Sequence, residues 1–373
     1  MKLAFTSPMK PLDHPVPSGD RTLARLLVRA FREAGHTVDV ATRFQSWRKS
    51  GGRSMQEALK TEALREAEAV AASWRSTGYV PDAFVTYHLY HKAPDWIGPA
   101  LAREFNCPYI VIEASRAPKQ ATGDWAFGFA EADKALEAAD QVVALHRADA
   151  TCLRDLVGER LSIIPPFIDT DPFDDAPALA VVPKRIKLLA VGMMRPGAKM
   201  RSYEVLAQAL ERVKATNWEL TIVGDGPERA DIHDMFCELP AHFVGSVATD
   251  AMPAFYSTND ILVWPAVREA FGFVFLEAQA AGRPVVGGDT FGVPDIVAQG
   301  VSGLLSAEGN VDAFAANLER LLEDPQLCNQ MGQQARAHVQ ARHSLEAGTQ
   351  HLDTLLLRAK DHFAFKHQTG KIS

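Results

Sequence analysis

Apolar and polar positions recur along the chain with two periods. Apolar runs of four to eight residues predict strands. Stretches with apolar residues three or four apart predict helices. KLAFT (2–6) is the first strand, followed by a proline-rich loop. In SGDRTLARLLVRAFREAGH, Leu23, Leu26, Leu27, Ala30 and Phe31 share one helical face, and Gly35 supplies a stop. TVDVAT then alternates as a strand. Strand, helix and strand at this spacing predict a βαβ unit with a parallel sheet.

The alternation continues. Residues 56–77 predict a long helix, DAFVTYH a strand, APDWIGPALAREF a helix and CPYIVIEAS a strand. EADKALEAAD reads as a polar helix, QVVAL as a strand, ADATCLRDLV as a helix and RLSIIPP as a strand. Residues 165–185 are rich in proline and acids, lack periodicity and read as a linker. The pattern then restarts with strands RIKLLAVG, WELTIVG, AHFVG, DILVWPA and RPVVGG. Helices SYEVLAQALERVK, PERADIHDMFCEL, MPAFYSTN and FVFLEAQAA separate them, and another is predicted near 311–323. Two doubly wound α/β halves follow, with a tail helix. The domains are expected at 1–175, completed by the tail 346–373, and at 176–345.

A length of 373 residues suits two cores better than one. The formal charge of -7 argues against nucleic acid as a partner. The four cysteines form no CxxC pair, so neither structural zinc nor a disulfide framework is expected. The first residues are too short in apolar length for a signal peptide, and no apolar run approaches a membrane span. A cytoplasmic location is expected. RFQSWRKSGGR (43–53) has four basic residues and no acid. Either it is a solvated loop, or it meets an anionic acceptor or the inner membrane face.

REAFGFVFLEAQAAGRPVVGG (268–288) raises the chemical question. Glu269 and Glu277 flank an apolar run. DILVWPA precedes it as a strand, so Glu269 falls in the loop at that strand's C-terminal end. Open α/β sheets bind ligands at such ends. The next helix presents free N–H groups and the positive end of its dipole, which favour phosphate. Gly272 removes a side chain where a ligand would approach. Glu277, one turn inside, can accept from sugar hydroxyls. Spacing alone favours a plainer reading: Glu269 meets the helix dipole and Glu277 is a solvated helix position.

EAFGFVFLEAQAAGRPVVGGDTFGVPDIV, continuing to QGVSGLL, resembles the signature of family 4 (group 1) glycosyltransferases. TIVGDGPER and LLAVGMMRPGAKM resemble that family's strand ends, and AGHTVDVAT and the ADQVVAL…RLSIIPPFIDTDPF run resemble its first half. The resemblance implies a GT-B fold of two Rossmann-like domains facing across a cleft. It implies transfer of a sugar from a nucleoside-diphosphate sugar to an unidentified hydroxyl acceptor, with retention. Glu269 and Glu277 match the family's E-x7-E pair. By that match Glu269 lies near the donor sugar and Glu277 at the ribose. Phe271, Gly272, Phe273 and Val274 would offer backbone to phosphate or sugar, with Gly192 and Gly224 at the neighbouring strand ends. Arg195 and Lys199 would hold the diphosphate. Met193 stands where the family has its arginine, and Arg195 follows two residues later.

On the acceptor side or near the donor sugar the candidates are Ser18, Gly19, His88 and Glu113; the resemblance implies a histidine near the sugar at a strand end, where His88 and Glu113 stand. The first loop carries one glycine where the family has a pair, and Ser18 also fits as a helix cap. Asp169-Thr170-Asp171 spells DxD but falls in the predicted linker. No essential metal and no cofactor beyond the donor are expected. A catalytically silent nucleotide-sugar-binding protein is the alternative. An oxidoreductase would need GxGxxG after an early strand, and neither PSGDRT nor VGMMRPG supplies it.

Overall fold

The computed structural model describes residues 1–15, 18–180 and 185–369. Part of the PVPSGDR loop, the end of the predicted linker and the tip of the tail lie outside the described residues. The chain divides into two compact units, 1–165 with 348–373, and 166–347.

The first unit runs β1 (Lys2–Thr6), α1 (Gly19–Glu33), β2 (Thr37–Val40), α2 (Arg53–Thr77), β3 (Ala83–Leu89), α3 (Ile97–Glu104), β4 (Tyr109–Ala114), α4 (Ala126–Ala138), β5 (Gln141–Ala144), α5 (Arg147–Val157) and β6 (Leu161–Ile163). Its strands pair in the order β2-β1-β3-β4-β5-β6, all parallel. Helices cover a parallel sheet on both faces, so its inner strands are apolar throughout, while the edge strands β2 and β6 stay partly exposed. Phe84, Val111 and Val142 are fully buried in this way. In α2, Leu59, Ala63, Ala67, Val70 and Trp74 fall three or four apart and join the same core. The helix ends where Gly78 takes φ +67° and its N–H reaches the Trp74 carbonyl.

The second unit runs β7 (Ile186–Val191), α6 (Ala198–Arg212), β8 (Trp218–Val223), α7 (Arg229–Met235), β9 (Ala241–Gly245), α8 (Met252–Thr258), β10 (Ile261–Trp264), α9 (Phe273–Ala280), β11 (Val285–Asp289), α10 (Val293–Ile296), β12 (Gly303–Ala307), α11 (Val311–Glu323) and α12 (Pro325–Arg342). Its parallel order is β12-β11-β10-β7-β8-β9. The final helix, α13 (Leu345–Thr369), packs on the first unit. There His36 Nε2 lies 2.9 Å from Asp353, and His362 Nδ1 lies 2.9 Å from the buried Asp140.

In each sheet the first strand sits between neighbours reached by opposite windings: β1 between β2 and β3, β7 between β8 and β10. These are topological switch points, where the loops part and leave a crevice at the strand ends.

Two expectations change. The predicted polar helix EADKALEAAD is the latter part of α4, which begins at Ala126 and buries one face. Glu131 is buried there because Lys60, Lys134 and the Trp96 indole N–H all meet its carboxylate, at 2.8, 2.7 and 2.8 Å. The described part of the predicted linker is no solvated tether either. Phe167, Ile168, Phe173, Ala176 and Leu179 are buried. Its carbonyls are held by Arg283 at Pro177, Arg336 at Ala176 and Asn329 at Leu179, at 2.9, 2.9 and 2.7 Å. Proline and acid content hid a strap of apolar anchors.

Candidate active site

In the second unit the predicted donor residues gather at the β7/β10 switch point. Strand β7 ends at Val191, just before Gly192, and α6 begins at Ala198, so Lys199 lies in that helix's first turn. Strand β10 ends at Trp264, and residues 265–272 lead into α9. Lys199 Nζ stands 5.3 Å from the centroid of the Trp264 ring and forms an ion pair with Glu269. An ammonium over an indole face is attracted by the ring quadrupole. Both members of the pair are partly accessible, at 26% and 19% of the side chain.

The loop carrying Glu269 is strained and pinned. Ala266 and Arg268 take φ +55° and +51°, a region that non-glycine residues rarely enter. The Val267 N–H donates to Ser202 Oγ at 3.0 Å, and the Arg268 N–H to Glu308 at 3.2 Å. The Gly292 N–H donates to the Ala270 carbonyl at 2.7 Å. Such over-determination is what keeps sparsely populated backbone in place. Gly272 then takes φ +73° and opens α9 with no side chain capping it. Phe273 and Val274 form the first turn, and Phe271 meets Phe273 edge-on at 5.3 Å between centroids.

Glu277 is not a solvated helix position. It is half-buried and accepts a 2.6 Å hydrogen bond from the Tyr256 hydroxyl. Burial raises its pKa, and the Tyr256 bond offsets only part of that. Gly192 and Gly224 have local work of their own. A Cβ on Gly224, at φ +146°, would stand 1.9 Å from the Gly192 carbonyl oxygen. A Cβ on Gly192 would stand 2.5 Å from the Trp264 ring. Bare backbone lets the two strand ends close up under the site. Arg195 is exposed, and its side chain makes no hydrogen bond or ion pair among the described residues. Arg201 pairs with Glu204 at 2.8 Å, on the solvent side of α6.

In the first unit Ser18 caps α1, accepting from the Arg21 N–H at 3.3 Å and from Lys10 Nζ at 2.9 Å. Gly19 opens that helix. His88 ends on one side of a carboxylate pair: its Nδ1 is 3.1 Å from Asp20 Oδ1 and 3.6 Å from Glu113 Oε1. Asp20, His88 and Glu113 each offer one donor atom, all within 4.8 Å of one another. His88 and Glu113 take φ +61° and +60° inside strands, which turns both side chains toward this point at the sheet's C-terminal edge. Burial opposes charge on His88, but Glu113 and Asp20 raise its pKa above the ordinary value. Burial also raises Glu113. Asp20, despite its burial, is held below the usual carboxylate value by His88.

Sequence reading passed over Asp20, Ser202, Tyr256, Trp264 and Glu308 as site residues. Ser202 had one signal, a serine inside a helical run whose hydroxyl can bond elsewhere. The others show no spacing that marks them.

Residues 177–338 match the family model for glycosyl transferases group 1. The chain is 33% identical over 201 residues to a GDP-mannose-dependent alpha-(1-6)-phosphatidylinositol monomannoside mannosyltransferase of Mycobacterium tuberculosis. That covers 49% of this chain and 52% of that protein. The chain spans at most about half the length of the curated relatives it matches. Its fold is similar to sucrose-phosphate synthase from Thermosynechococcus elongatus, with TM-score 0.72, 22% identity and 95% and 98% of the two chains covered. It is also similar to Anabaena Alr3699/HepE in complex with UDP-glucose, with TM-score 0.67, 18% identity and 95% and 99% covered. The fold class is GT-B, two Rossmann-like domains. Among the described residues, no helix is long and apolar enough to cross a membrane.

Proposed function

We propose that this chain is a retaining glycosyltransferase of family 4, moving a hexosyl group from a nucleoside-diphosphate sugar to an acceptor hydroxyl. The observation that carries this reading is the Lys199–Glu269 pair at the β7/β10 switch point, beside the uncapped start of α9. The match of residues 177–338 to group 1 glycosyl transferases supports it, as does the likeness to a fold that holds UDP-glucose.

The donor diphosphate takes Lys199 and the free amides at the start of α9. Cation and helix dipole stabilise the charge that grows on the leaving phosphate. Glu269, released from Lys199, accepts from hydroxyls of the donor sugar. Glu277, already oriented by Tyr256, accepts from the ribose. The bond from the anomeric carbon to phosphate oxygen breaks, and one to the acceptor oxygen forms on the same face. The acceptor's proton passes to the departing phosphate oxygen. No protein nucleophile and no metal are required in this scheme; the second unit supplies position and charge.

The test is a panel of UDP-, GDP- and ADP-sugars scored by thermal shift, since donor binding stabilises the native state by mass action. The best donor is then offered to polyol acceptors, and the product's anomeric configuration is read by NMR. Retention is expected. An inverted product, or a donor bound without transfer to any acceptor, would sink the proposal.

A further inference from the structure

We propose that Asp20, His88 and Glu113 form a binding site for one divalent transition-metal ion of the zinc class, at the C-terminal strand edge of the first unit. The inference does not rest on the glycosyltransferase reading.

The distances suit a metal ion rather than an ammonium. Three ligands bound to zinc at ordinary bond lengths stand about 3.3–3.4 Å apart. Three acceptors around an ammonium, each at hydrogen-bond distance, stand about 4.6 Å apart. The two separations from His88 Nδ1, 3.1 and 3.6 Å, bracket the metal value and fall well short of the ammonium value. An ordinary ion-paired histidine would also place its ring nitrogen near a carboxylate, but in line with it. Here Nδ1 is buried and makes no aligned hydrogen bond to either neighbour. One nitrogen and two oxygens converge on a point rather than on each other.

A second observation points the same way. The Tyr87 hydroxyl is buried, with the residue 1% exposed, and makes no well-aligned hydrogen bond, Glu113 being its near neighbour. It lies close enough to the Glu113 carboxylate for that charge to act on it. Glu113 Oε2 is likewise buried without a well-aligned hydrogen bond. Buried polar groups without partners are uncommon and call for an explanation. A bound cation supplies one: it fixes the Glu113 carboxylate, leaving Oε2 to accept from Tyr87. Asp149, bonded to Ser115 Oγ at 3.2 Å and to His146 Nε2 at 3.2 Å, adds negative potential behind the ligands.

The ligand chemistry fits the zinc class. Two carboxylates balance a double positive charge, and an imidazole favours zinc over magnesium. The ligands come from α1, β3 and β4, so a bound ion would tie the start of α1 to the ends of two strands. Their partial exposure leaves coordination positions open to an oxygen ligand.

The test uses full-length protein without a histidine tag, stripped with EDTA and titrated with Zn2+ by calorimetry. One saturable site per chain is expected, with Mg2+ far weaker. His88→Asn and Glu113→Gln should each weaken Zn2+ binding at least about tenfold. Asparagine tolerates the left-handed backbone at 88, so the metal-free melting temperature should stay close to wild type. Asp20→Asn repeats the test should either strand variant fail to fold. Co2+ gives an independent readout, a visible absorption band that His88→Asn abolishes. The proposal is overturned by absence of saturable Zn2+ binding, or by variants that bind Zn2+ as the wild type does.

Discussion

The two units share one architecture and place different chemistry on it. Each is a six-stranded parallel sheet with a switch point beside its first strand. In each, a side chain from the first turn of the helix after that first strand meets side chains from the far side of the switch. In the second unit the meeting is one cation with one carboxylate, over an indole, beside an uncapped helix start. In the first it is two carboxylates with one imidazole, beside a capped helix start. The first arrangement attracts cations and the second can take an anion. Topology says where a site forms; a handful of residues at strand ends says what it binds.

The largest effect should come from breaking the anion side. Lys199→Ala removes the cation nearest Glu269, and turnover with the best donor should fall about 100- to 1000-fold. Arg195→Ala, on an exposed side chain that no carboxylate orients, should lower it less, by about tenfold. Equal losses in the two variants would mean that the ion pair does not mark the donor phosphate. Steady-state kinetics on both, side by side, decides it.

A smaller effect tests the close packing under that site. Gly224→Ala puts a Cβ where the Gly192 carbonyl oxygen lies, at a backbone angle alanine avoids. A cost of about 2–4 kcal/mol is expected, read as a lowered denaturant midpoint. Gly35→Ala in the first unit, at φ +80° with nothing within 4 Å, carries strain without a clash and should cost about 1 kcal/mol. A Gly224 variant no worse than the Gly35 one would show that the strand ends can part.

Much of this contrast was legible in the chain. The E-x7-E pair, its helix and its strand were readable because strand, loop and helix are contiguous between residues 260 and 288. Ion pairing between Glu269 and Lys199 was not, since it depends on β7 lying beside β10 across 70 residues. The same holds for Asp20 with His88 and Glu113, brought together by the order β1-β3-β4. Local pattern predicts elements, whereas register between distant strands predicts neighbours, and only the first is written in periodicity. Glu277 was readable as a position and misleading as an environment. Nothing near it in sequence announces Tyr256, which reaches it from α8.

Glu277 gives the smallest effect and the finest test. Its pKa is raised by burial above the ordinary 4.5. Below that ordinary value the carboxyl is protonated in folded and unfolded chains alike, and the favourable folded contribution is complete. As pH rises through the folded pKa, the fold must hold a charge it disfavours, and that contribution is lost. Glutamine imitates the neutral form and can still accept from the Tyr256 hydroxyl. Glu277→Gln should therefore raise the melting temperature of the ligand-free protein at pH 7, with the gain fading as pH falls through the raised pKa and gone below about pH 4.5. The same variant should bind the donor more weakly, because an amide accepts less strongly from ribose hydroxyls than a carboxylate does. A solvated helix glutamate would show neither change. A carboxylate that is merely structural would lower stability at pH 7 when replaced. Only a buried charge held ready for a ligand gives a more stable empty protein with a poorer grip on its donor.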